Sequence, residues 1–445
     1  MKATYSIVAI VMPFASAYVA KHRPSSNTLP KRPGAYPRCD LSCPVHPSHD
    51  GIVNAQEIFA WEKAIRPKIS RLQSIVQVPT VVYNDMGDVD KDERWKPLGQ
   101  VAVVLNSSYP NIHHYTSPEV VHKYGHIYTV EGSNPDLKPI FLTAHQDVIP
   151  VDEDTLDEWT HSPFKGYYEQ RNGYLYGRGT ADDKSALTGL MSALEALLAQ
   201  DYDPRRAVIL AFGFDHGISV QSYHAGGDNF TPPPHSAIGV MSEIVTTIEN
   251  NLFDARIGWD SPVHQRVRLG GLDGAARFSV RLSPETHYLF QTSQAVDLIA
   301  GGETINTLPE YVTLGVSHRL TPQDTIGIFE EDDDYDIYLK SQGLAQKPHR
   351  QVSSAGTLNI QARKKYSPAE SLPTSGRVWD IFAGTVRHTW GKESPCVIPA
   401  PGAMTGNTDA RHYQKLSKNI YRWNPGTRKS IARVHDFNER IAMGV

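Results

Sequence analysis

Cysteine is scarce, with three in 445 residues, at positions 39, 43 and 396. So few exclude a disulfide-dense scaffold, and without a second Cys pair a zinc site made of cysteines alone is excluded too. Charge of one sign is also missing. Lys and Arg total 44 and Asp and Glu total 48, a formal net charge of −4. Such a balance gives no reason to expect nucleic acid as a partner. Beyond residue 20 no apolar run is long enough to span a bilayer, and no internal repeat is visible. What remains is a globular mixture, 40% hydrophobic and 21% charged, with 33 Gly and 31 Pro. It is neither disordered nor collagen-like. At roughly 100–200 residues per domain, the length suits two or three domains. Nineteen His make a metal site worth seeking.

The first twenty residues differ from the rest. Lys2 precedes a largely apolar stretch from Ala3 to Ala20, with small residues at Ala15-Ser16-Ala17, and then Lys21, His22 and Arg23. A basic start, an apolar run and small residues form the pattern of a secretory signal. A retained membrane anchor is the competing reading, although Pro13 interrupts the run and its length is near the lower limit for spanning. Cys39 and Cys43 could pair in an oxidising compartment. Sequons at Asn106 and Asn229 agree with secretion, toward a vacuole or the outside.

Residues 21–50, rich in Pro, Ser and His, read as a linker. A helical pattern starts near Ala55 and runs past Ile58, Phe59, Ile65, Ile69, Leu72 and Val76. Val121 to Val130 alternates as a strand does. Residues 139–144 form a short apolar run typical of a buried strand. From Asp183 onward, Leu187, Leu190, Met191, Leu194, Leu197 and Leu198 recur at helical spacing, and residues 207–212 read as the next buried strand. Strand, helix and strand in this order predict a βαβ unit in an α/β sheet covered by helices. A helix is predicted from about Ala237 to Leu252, and strands near 277–282 and 311–320. The acidic run 330–334 reads as a solvated loop. We expect a catalytic domain over 51–224 and 346–445, with a smaller α+β domain inserted at 225–345.

Three segments could carry chemistry. His145-Gln146-Asp147 closes the strand 139–144, and strand C-terminal ends are where open α/β sheets place ligands. There an imidazole can bind a metal while the carboxylate orients it. Gly177 to Lys184 puts two glycines and the pair Asp182-Asp183 just before a helix, where its dipole favours carboxylates. His435-Asp436-Phe437-Asn438-Glu439 sets a histidine beside acids near the C-terminus. Between them, the loop 406–411 ends in Arg411, suited to a substrate carboxylate.

Together these stretches resemble the metallopeptidases that include carboxypeptidase S, aminoacylase and glutamate carboxypeptidase, with fungal carboxypeptidase S the nearest in pattern. Val78-Pro79-Thr80, His145-Gln146-Asp147, Gly177 to Lys184, Ala211 to Asp215, Asn306-Thr307-Leu308-Pro309, Met404 to Arg411 and His435 to Arg440 occur in family order. The resemblance covers most of the chain from about residue 55. It implies a helix-covered mixed α/β sheet as catalytic domain and an inserted α+β domain serving as lid or for dimerisation, so a homodimer is expected by analogy. It implies two zinc ions, with His145 on one, His435 on the other and Asp182 bridging them across a cis Asp182–Asp183 peptide. Asp147 would orient His145, Arg411 would take the substrate's terminal carboxylate, and Asn306 would reach the substrate or the oxyanion. The implied substrates are short peptides cut at the C-terminus, or N-acyl amino acids in an alternative reading.

The sequence departs from the family at the centre of that mechanism. After Asp215 the family carries two glutamates, a general base and a zinc ligand. Here His216 stands at the base position and Gly217 at the ligand position. A family stretch that supplies a further acidic ligand is also absent after Ser219. Each zinc then keeps two protein ligands where catalytic sites usually have three, so reduced occupancy is expected. Losing the base removes a contribution of roughly 10²–10⁴-fold. These departures support a further reading, a catalytically silent chain or an incomplete gene product.

Overall fold

The computed structural model describes residues 7–10, 41–46, 51–59, 62–83, 85–214, 237–250, 252–253, 288, 291–302, 312–321, 372–391, 397–402, 410–424 and 430–444. The chain divides into two compact units. One comprises 1–217, 372–402 and 408–445, and the other 218–371 and 403–407. The expected insertion at 225–345 falls within the second.

The first unit is built on a six-stranded mixed sheet. Its strands are β1 (Ile7–Ile10), β2 (Glu119–Val121), β3 (Gly125–Val130), β4 (Ile140–His145), β7 (Val208–Gly213) and β10 (Ile420–Arg422), in the order β10-β1-β4-β7-β3-β2. β4 and β7 run parallel, with Leu142 opposite Leu210 and His145 opposite Gly213. β3 runs antiparallel to β7. The helix α5 (Lys184–Leu198) lies between β4 and β7 in sequence, which makes the anticipated βαβ crossover. Its buried positions include Leu187, Met191, Leu194 and Leu198, three or four residues apart, so one face of the helix is apolar. That face meets Leu72, Ile75, Leu105, Ile112, Leu210 and Phe212 in one core. Truncating one such leucine costs about 2–5 kcal/mol.

The helical pattern after residue 55 is seen in α1 (Ala55–Phe59) and α2 (Glu62–Val76). One detail differs from the sequence reading. The stretch 121–130 is a hairpin, β2 and β3, turned by His122 and Lys123 in left-handed conformations at φ 45° and 73°. Alternation cannot reveal this, because the turn uses no glycine. Ile7–Ile10 is paired in parallel with β4 on one side and β10 on the other. No helix among the described residues is long and apolar enough to cross a membrane.

A second, antiparallel sheet positions the site. It contains β5 (Tyr167–Glu169), β6 (Tyr174–Tyr176), β11 (Ile431–Ala432) and β12 (Arg440–Ala442), in the order β11-β12-β6-β5. β12 pairs with β6, with Arg440 opposite Tyr176. This register sets the segment before β12 beside the segment after β6.

Loop-end polar groups are satisfied by buried side chains. Glu195 of α5 accepts from the backbone N–H groups of Asn111 and Ile112 and from Asn111 Nδ2, at 2.8–3.0 Å. It thereby caps helix α4 (Pro110–Tyr115). His126 of β3 is buried beside Tyr128 in this region, and neither ring nitrogen has a hydrogen-bond partner.

In the second unit, α6 (Ala237–Asn250) buries Ile244 and Ile248. β8 (Ser293–Ala300) and β9 (Thr313–Arg319) form an antiparallel pair with a register irregularity between Val296 and Leu298. The strand expected at 277–282 and the loop 330–334 lie outside the described residues.

Candidate active site

Three backbone elements converge here. β4 ends in His145. The loop after β6, residues 177–183, leads into α5. The loop between β11 and β12 carries His435. Gly179 in the second loop has φ 85°, and a Cβ there would lie 2.5 Å from Val148 Cγ1, so a side chain is barred both by conformation and by space. The Asp182–Asp183 peptide is cis, as the resemblance implied.

Asp182 stands between two imidazoles. Its Oδ1 is 3.0 Å from His145 Nε2 and its Oδ2 is 2.7 Å from His435 Nε2. His145 is buried, and its Nδ1 faces Asp147, 3.1 Å from the backbone oxygen and 3.3 Å from Oδ1. Burial disfavours the imidazolium of His145, but Asp147 and Asp182 outweigh burial and lift its pKa well above the ordinary value. Burial likewise disfavours ionised Asp182, but hydrogen bonds from the two histidines hold the carboxyl well below the usual range. In chemical terms, one carboxylate presents one oxygen to each of two nitrogen donors. Cations seated there would each find one imidazole and one carboxylate oxygen, a donor set that suits zinc in kind. In number the set is short. Among the described residues no group of three or more His, Cys, Asp or Glu is placed to hold one metal ion.

His435 is half exposed and sits at φ 62°, a region uncommon for residues with a side chain. Its loop is pinned from outside. The Asn438 amide oxygen accepts from Thr160 N–H at 2.7 Å, and its Nδ2 donates to Glu158 O at 3.0 Å.

Two buried ions underlie the loops. Lys184 is fully buried and donates to Ile75 O at 3.0 Å and Val78 O at 2.7 Å, tying the start of α5 to the end of α2. Burial pulls its ammonium down to about 7. Glu439, also fully buried, accepts from Arg178 at 2.8 Å and from backbone N–H groups of the 177–183 loop. The sequence placed both residues inside family stretches but gave neither a role. Nothing in a linear pattern separates a buried acid or lysine from a solvated one.

Of the other residues singled out by sequence, Arg411 lies in the short helix α8 (Ala410–Tyr413). Asn306, His216 and Gly217 fall outside the described residues.

Known proteins are similar to this chain in sequence and in fold. The profile of peptidase family M20/M25/M40 matches residues 141–444. An uncharacterized carboxypeptidase of Schizosaccharomyces pombe is 31% identical, over 83% of this chain and 75% of its own length. Carboxypeptidase S of Saccharomyces cerevisiae is 28% identical, over 88% of this chain and 83% of its own. In fold, human carnosine dipeptidase 1 is similar with a TM-score of 0.53, covering 87% of this chain and 94% of that one, at 13% identity. On the family match and the identity to the fission-yeast carboxypeptidase, the chain belongs to peptidase family M20/M25/M40.

Proposed function

We propose that this chain is a two-zinc metallocarboxypeptidase that releases C-terminal residues from short peptides. The observation that carries the reading is the Asp182 carboxylate set between His145 Nε2 and His435 Nε2 at 3.0 and 2.7 Å. Zinc, when bound, would polarise the scissile carbonyl and make water a nucleophile near neutral pH. Asp182 serves as the shared ligand. Asp147 holds His145 through Nδ1, so Nε2 would be the nitrogen offered to a metal ion that displaces its proton. Arg411 would pair with the terminal carboxylate of the peptide. His216 takes the proton of the attacking water and returns it to the leaving amine. An imidazole in place of the family's glutamate, and glycine at 217, set turnover low, by roughly 10²–10⁴-fold for the base alone.

The test is zinc-loaded full-length protein incubated with an N-blocked dipeptide. The proposal expects slow release of the C-terminal amino acid that stops with chelator and returns with zinc. The double substitution His216→Glu with Gly217→Glu should raise the rate. Bound zinc without turnover would favour a catalytically silent chain, and faster cleavage of N-acyl amino acids would favour the acylase reading. As a separate proposal, the basic apolar start and the exposed sequon at Asn106 support entry into the secretory pathway. A mobility shift on endoglycosidase treatment tests it.

A further inference from the structure

Glu439 touches neither imidazole, yet its contacts centre on the site. Its carboxylate is completely buried. Oε1 accepts from Gly179 N–H at 3.1 Å, Ala181 N–H at 2.8 Å and Asp182 N–H at 3.3 Å. Oε2 accepts from Arg178 Nη1 at 2.8 Å. The Glu439 carbonyl meanwhile accepts from Gly177 N–H at 2.9 Å. Glu439 therefore takes four of the six backbone N–H groups of 177–182, and it lies four positions after His435.

Three N–H groups converging on one oxygen make an anion nest, formed here from the chain's own loop and filled by its own carboxylate. The result for Asp182 is specific. Its N–H is held by Glu439 while its carboxylate faces His145 and His435, so its backbone and its side chain are both fixed. Glu439 and His435 also share the short β11–β12 connection. Glu439 thus sets how far the His435 loop stands from the Asp182 loop. Arg178 keeps the arrangement close to electrically neutral. It balances the Glu439 charge, so the shared ligand Asp182 is not confronted by a second unpaired anion. Fold stability alone does not account for such a pair, since a buried ion pair is often no more stabilising than apolar side chains of the same volume.

We propose that Glu439 is a positioning residue. It holds the 177–182 loop so that Asp182 is presented to two cations at once and in reach of His435. The metal half of this statement rests on the two-zinc reading above, whereas the loop half does not.

The experiment compares full-length wild type with Glu439→Gln, Glu439→Leu and a control, Leu198→Ala, which weakens the core away from the site. Zinc affinity is read by competition with a chromophoric chelator, and metal-free thermal midpoints are measured for all four proteins. Amide hydrogen exchange at 179–182 is followed in the same metal-free proteins. The proposal expects Glu439→Leu to bind zinc about 10–100-fold more weakly. Glu439→Gln, which keeps an acceptor oxygen, should lie between it and wild type. The control should lose thermal stability but keep wild-type affinity. Exchange at Ala181 and Asp182 should speed up in Glu439→Leu and not in the control. Wild-type affinity in both Glu439 variants, or affinity that simply follows thermal midpoint through the control, overturns it. If wild type itself binds no zinc, the two-zinc reading fails. Exchange then decides the loop role alone, and unchanged protection at 181 and 182 in Glu439→Leu refutes it.

Discussion

Asp182 and His435 are 253 residues apart in the chain and 2.7 Å apart in space. The pairing of β12 with β6 explains how. Arg440 opposite Tyr176 lays the loop ending at Glu439 against the loop beginning at Gly177. The opposite oxygen of Asp182 meets His145 at the C-terminal end of β4. A parallel strand end, a glycine-shaped loop and a C-terminal hairpin thus contribute one residue each.

Asp182→Asn keeps the size of the side chain and removes its charge. Its two oxygens meet both imidazoles, so zinc binding should fall at both positions together. A calorimetric titration with zinc checks this. Loss at one position only would show that the ions do not share Asp182.

Lys184→Met should destabilise the protein by about 1–3 kcal/mol, because the Ile75 and Val78 carbonyls each lose a charged donor and keep only a backbone N–H. Methionine fills a similar volume. Urea unfolding of the metal-free protein measures the loss, and an unchanged midpoint would mean that water replaces the ammonium.

His126 supplies a pH dependence. It is buried without a partner, and burial, with His113 nearby, lowers its pKa below the ordinary 6.5. The folded state therefore binds fewer protons than the unfolded state just below pH 6.5. Stability from this group is complete above that pH and is lost as pH falls toward the lowered folded value. From pH 7.5 to pH 5 the thermal midpoint of wild type should fall relative to that of His126→Leu. Parallel curves would contradict the assignment.

Glu195→Ala removes the acceptor for three N–H donors at the start of α4. A cost of about 2–3 kcal/mol is expected, since hydrogen bonds to charged groups are among the stronger ones. Chemical denaturation reads the size of the loss, and faster hydrogen exchange within 110–115 places it in α4.

How far the sequence carries can be judged from particular residues. The apolar spacing of Leu187, Met191, Leu194 and Leu198 makes α5 visible at once, because a core face imposes a period. His145, Asp182 and His435 stand out only through family order, since each local pattern is common by chance. The turn at His122 and Lys123 escapes notice because left-handed residues other than glycine carry no compositional mark. Ile7–Ile10 shows a deeper ambiguity. An apolar run after a basic residue reads equally as a leader and as a parallel strand, and sheet pairing with β4 and β10 is a long-range fact. The roles of Glu439 and Lys184 are hidden for the same reason, since burial is a property of the folded chain.

The claim that two cations share Asp182 is tested most directly by a crystal of the full-length protein soaked in zinc and measured at the zinc absorption edge. Two anomalous peaks are predicted, one between Asp182 Oδ1 and His145 Nε2 and one between Oδ2 and His435 Nε2. Full zinc exposure with no peak at Asp182, or with the two histidines turned away from it, would contradict the account.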